Sequence, residues 1–107
     1  MVTKSVLGVE VIGTEIEIIG PIETSKKEDR IFGVGNGEKE IIAAAWGSDD
    51  GQNWVEEESK TIPPGNYKIL VVGNNHLPHV KLIGWTTTPG ETSVVDAYLT
   101  YTESAAP

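Results

Sequence analysis

Three tryptophans, two histidines and one acid-rich turn are the residues whose types could do chemistry in this chain. Asp49, Asp50 and Asn53 stand in the run D-D-G-Q-N, a density of oxygen ligands of the kind that holds Ca²⁺. The EF-hand spacing is absent, however, and Asp, Asn and Gly are also the ordinary residues of tight turns. A plain turn is therefore the favoured reading, with Ca²⁺ the one cofactor weighed against none. His76 and His79 are three apart on a non-helical segment with Pro78 between them, and zinc would need two further ligands. Trp46, Trp54 and Trp85 raise the possibility of stacking on pyranose faces, with Trp54 and Trp85 the expected pair. Their alternative is packing in a core or at a subunit interface, where tryptophan is enriched. Carboxylates are plentiful, but nothing selects one pair for glycosidic acid–base work. Ser, His and Asp occur in no nucleophile motif, and no glycine-rich phosphate loop precedes a helix. The expectation is a protein that is not an enzyme.

Strands must carry these residues, because the period is two almost throughout. In Thr14 to Ile19, Ile16 and Ile18 alternate with Glu15 and Glu17, and Gly20-Pro21 ends the run. Arg30 to Val34, Ile41 to Trp46, a short piece near Thr61-Ile62, Tyr67 to Val72 and Val80 to Thr87 read as further strands. Thr92 to Thr102 is the longest: Val95, Ala97, Leu99 and Tyr101 share one face, and Val94, Asp96, Tyr98 and Thr100 the other. Gly35-Asn36-Gly37, Ser48 to Gly51, Pro63 to Asn66 and Thr88 to Glu91 supply turns. Glu23 to Asp29 is a polar loop, and Glu56-Glu57-Glu58 is a solvated edge that discourages wrong pairing. About eight short strands without a convincing helix predict an all-β, antiparallel β-sandwich of the jelly-roll type. The spacing of cysteine and tryptophan that marks immunoglobulin domains is missing.

The bulk composition narrows the function classes. The chain has 107 residues, enough for one domain with its own core, and no cysteine, so disulfides and thiolate chemistry are excluded. Sixteen acids against eight bases give a formal charge of −8, which argues against nucleic acid and against anionic membrane surfaces. No run of apolar residues is long enough for a membrane-spanning helix. Val2-Thr3-Lys4 leads into a mixed segment, so no secretory signal peptide is read.

The segments I-F-G-V-G-N-G at Ile31 to Gly37, S-D-D-G-Q-N-W at Ser48 to Trp54, T-I-P-P-G at Thr61 to Gly65, H-V-K-L-I at His79 to Ile83 and G-E-T-S-V-V-D-A-Y at Gly90 to Tyr98 carry a resemblance. Together they make Phe32 to Tyr101 resemble a family of small β-sandwich domains of unknown function from Firmicute bacteria. The architecture is also similar to that of endospore-appendage and other self-assembling jelly-roll subunits, whose N-terminal arm bridges to a neighbour. That likeness implies a structural subunit at an extracellular, spore or virion surface, whose partners are copies of itself. Such appendage subunits use cysteines to lock neighbours, and here strand pairing and packing would have to serve instead. Residues 1–12 are then an arm for strand complementation, with Val6, Leu7, Val9, Val11 and Ile12 as the assembly residues and Gly13 as a hinge, or simply the first strand of its own sandwich. Residues 13–103 form the sandwich and 104–107 a frayed tail. A carbohydrate-binding module and a phage virion protein are the alternatives.

Overall fold

Valine, isoleucine and threonine recur at alternate positions, and their branched side chains pack best on a pleated, half-buried surface. The computed structural model accordingly has eight strands: β1 (Val2–Val11), β2 (Ile16–Glu23), β3 (Arg30–Asn36), β4 (Ile41–Ser48), β5 (Trp54–Ile62), β6 (Tyr67–Val72), β7 (His79–Thr86) and β8 (Ser93–Tyr101). It describes residues 2–24, 30–73 and 77–101, and of Val2 the backbone alone. Most of the expected polar loop, His76 and the expected tail lie outside the described residues.

The strands form two antiparallel sheets, ordered β1-β8-β3-β6 and β2-β7-β4-β5. Every connection crosses from one sheet to the other except the β4–β5 hairpin, which is the winding of a jelly roll. The two inner faces meet in one core containing Phe32, Val34, Ile41, Leu70, Leu82 and Leu99, all fully buried. In β8 the expected alternation holds: Val95, Ala97 and Leu99 face the core, while Val94 and Asp96 face solvent.

Two strands run further than the sequence pattern implies. β2 continues through Gly20-Pro21 to Glu23 because it is an edge strand, where proline's missing N–H takes no ladder bond from a neighbour. Its register shifts also turn both Ile18 and Ile19 inward, so strict alternation breaks after Glu17. β5 runs unbroken from Trp54 to Ile62 rather than as a short piece near Thr61-Ile62, with Glu56-Glu57-Glu58 on the expected solvated edge. There Glu57 is the extra residue of a bulge, between the Ala45↔Glu58 and Trp46↔Glu56 pairs.

Two buried polar groups fasten the ends. Arg30 is fully buried; its Nε donates to the Val72 carbonyl at 3.2 Å and its Nη1 to Thr24 Oγ1 at 3.2 Å. At the other end, Asn36 Nδ2 donates to the carbonyls of Lys39 at 2.6 Å and Ile62 at 2.9 Å, and Ser93 Oγ donates to Asn36 Oδ1 at 2.7 Å.

Candidate functional site

The N-terminal segment belongs to its own sandwich in this structure. β1 pairs with β8 from Val2↔Tyr101 to Val11↔Ser93. Val11 is in the core, and Val6 and Val9 pack against it, whereas Leu7 and Ile12 are exposed. Leu7 and Gly8 form a bulge opposite Asp96, with Gly8 at a φ of 69° that suits glycine. The Asp96 carboxylate accepts the Gly8 N–H at 2.8 Å and fixes the kink. Gly13, the expected hinge, lies against Pro89, and the Ile12 carbonyl accepts from the Thr86 N–H at 2.7 Å.

The D-D-G-Q-N run is the turn of the β4–β5 hairpin, and Asp50 organises it. Its Oδ1 accepts the N–H groups of Gln52 and Asn53, each at 2.8 Å, and its Oδ2 accepts from Asn53 Nδ2 at 2.7 Å. Those donors hold the Asp50 carboxyl well below the ordinary carboxylate range, the Asn53 N–H contributing most. Both oxygens are thus committed to the turn, and no cluster of three or more metal-ligating side chains occurs among the described residues. His79 opens β7 with its ring beside Gly51.

The three tryptophans all lie on the outer face of the β2-β7-β4-β5 sheet, but only two come together. Trp46 on β4 is opposite Lys81 of β7 and Glu56 of β5, and Trp54 follows the turn two residues before Glu56. Lys81 Nζ stands 4.4 Å from the centre of the Trp54 ring. With Glu15, Ile16, Glu17 and Ile83 these residues line an open cavity of about 260 Å³. The Trp46 Nε1–H is buried and has no hydrogen-bond partner among the described residues. Trp85 pairs with Ile42, four residues further along β7 from Lys81, or about 13 Å at the strand rise. It lines no part of this cavity. The sequence reading of Trp54 with Trp85 missed Trp46, although Trp46 and Trp54 flank one hairpin turn at a spacing that puts them on one face.

The opposite surface has a different chemistry. Among the described residues, five of the seven exposed large apolar side chains, Leu7, Ile31, Tyr67, Ile69 and Val94, belong to the β1-β8-β3-β6 sheet. Gly33 sits between Ile69 of β6 and Tyr98 of β8. A side chain at Gly33 would collide with the Tyr67 ring, which reaches over Gly33 and Gly35. Two glycines of β3 thus form a floor, and a half-exposed tyrosine covers it.

Neither a family model nor a curated protein matches the chain. Among solved structures it is similar to the crystal structure of PirA, with a TM-score of 0.60 over 90% of each chain and 13% identity. At that identity the likeness is one of fold, and it agrees with the two-sheet sandwich.

Proposed function

We propose that this chain is a non-catalytic structural subunit that assembles with copies of itself through the outer face of its β1-β8-β3-β6 sheet. The observation that carries this reading is the concentration of exposed apolar side chains on that sheet, around the Gly33–Gly35 floor and Tyr67. Exposed apolar side chains gathered on one face mark interaction sites, and tyrosine is enriched in them; Asp96, opposite Gly35, is a charged group among them. The other face is built from charged and indole side chains around a cavity, so the two surfaces are not interchangeable.

Face packing, rather than exchange of the Thr3–Ile12 segment, is the contact proposed. Val6, Val9 and Val11 already serve the chain's own core. The edge strands also carry devices that oppose strand addition: Lys4 and a bulge on β1, Lys68 on β6, Lys60 and a bulge on β5, and Pro21 on β2. Lys60 in addition donates to the Ile69 carbonyl at 2.7 Å, closing the side of the sandwich between β5 and β6. The setting proposed is a surface or spore fibre or a virion, in keeping with the resemblance of Phe32 to Tyr101. Negative-stain electron microscopy of the purified chain tests the reading. Filaments or regular particles are expected, and a field of single monomers at high protein concentration would sink it.

A further inference from the structure

We propose that the cavity on the outer face of the β2-β7-β4-β5 sheet binds one neutral pyranose ring, through Trp46, Trp54, Lys81, Glu15 and Glu17. This goes beyond self-assembly and uses the opposite sheet. The argument rests on size, charge and an orphaned donor. A volume of about 260 Å³ lies just below the range of roughly 300–1,000 Å³ that holds drug-sized ligands, so the cavity suits a single ring. Its charged groups are two carboxylates and one ammonium. The lining carries net negative charge in a chain of −8, which disfavours an anion, and the Lys81 ammonium already holds the cation position over Trp54, which favours a neutral ligand carrying both donors and acceptors. A sugar is such a molecule, and its apolar C–H face matches an indole ring.

Lys81 covers the Trp54 ring at 4.4 Å, on a flexible four-carbon stem. The ring C–H face takes that place, and the displaced ammonium donates to a hydroxyl oxygen. The carboxylates of Glu15 and Glu17, both exposed at the cavity, accept from hydroxyl protons. The second observation is the Trp46 indole N–H, buried without a partner among the described residues. An unpaired buried donor is uncommon and calls for an acceptor, and because Trp46 lines the cavity a ring hydroxyl is the acceptor proposed. A second cavity, of about 340 Å³ beside Ile12 and Pro89, has no aromatic wall and only Glu91 as a charged group among its lining residues.

The test is a titration of the ¹⁵N-labelled full chain with glucose, galactose, mannose, N-acetylglucosamine and N-acetylgalactosamine in turn. The three tryptophans give three indole N–H signals. With at least one sugar, the Trp46 and Trp54 signals should move saturably while that of Trp85 stays. Trp54→Ala should weaken binding about tenfold or more, as loss of a central aromatic anchor does. Trp85→Ala should leave the affinity unchanged. Should Trp54→Ala fail to fold, Glu17→Ala keeps both rings and Lys81, removes one charged acceptor and should weaken binding roughly three- to tenfold. Still signals for Trp46 and Trp54 with all five sugars, shifts confined to Trp85, or unchanged affinity in the folded variants would overturn the proposal. So would tighter binding of glucosamine or glucuronate than of glucose.

Discussion

Asn36 ties the end of β3 to the ends of β5 and β8 through its amide, and truncating it strands several buried partners at once. Asn36→Ala should therefore destabilise the fold by about 2–3 kcal/mol, since an unsatisfied buried group costs roughly 1–3 kcal/mol. Urea unfolding measures this, and a loss within error of zero would mean that water replaces the amide. Asp50 gives a prediction in pH. Its folded-state pKa is depressed below the ordinary carboxylate value, so its contribution is present above about pH 4 and is lost as pH falls through the folded value. The stability gap between wild type and Asp50→Ala should be full near neutrality and should shrink on acidification. A gap that is flat from neutrality to strong acid contradicts the capping role. Asp50 was legible as a turn residue from D-D-G alone. Asn36 and Arg30 were not, because a turn asparagine and the last charge of K-K-E-D-R look the same in sequence whether buried or solvated.

At the level of strands, alternation was readable wherever both faces of the sheet differ in solvent, as in β8. It failed at edges and bulges, where β2 passes through Pro21 and β5 through three glutamates without losing its pairing. The place of β1 is open to a direct chemical check, because the chain has no cysteine of its own. Thr3 and Thr100 are opposed across β1 and β8. The double variant Thr3→Cys, Thr100→Cys should oxidise to a cross-link within one chain and run as a monomer on a non-reducing gel. A covalent dimer would show that β1 is exchanged between subunits. Gly33 offers a second check. Adding a methyl there must push the Tyr67 ring aside, and that ring is the half-exposed end of a surface side chain rather than part of the core. Gly33→Ala should change thermal stability by less than about 1 kcal/mol, since the glycine penalty in strands has that size, yet reduce self-association. Global unfolding of Gly33→Ala would place the ring among the supports of the fold instead.

The whole molecule is a jelly roll with two unlike outer faces. The strand count and the sandwich followed from periodicity and turn spacing, but the order β1-β8-β3-β6 over β2-β7-β4-β5 did not, because each inner strand reads as the same apolar alternation whichever neighbour it takes. The contrast between the faces is likewise a product of that order: β6, β3 and β8 bring Tyr67, Ile69, Ile31 and Tyr98 together from distant parts of the chain. A net charge of −8 opposes association at long range, so the proposed contact has to come from apolar side chains such as Ile69, which is 45% exposed, rather than from charge pairing. The most direct test is sedimentation velocity of wild type and Ile69→Asp over a concentration series at physiological salt. The wild type should shift to larger species as concentration rises, while Ile69→Asp stays monomeric and folded. A wild type that is monomeric throughout, or a variant that associates equally well, would contradict assembly through this face.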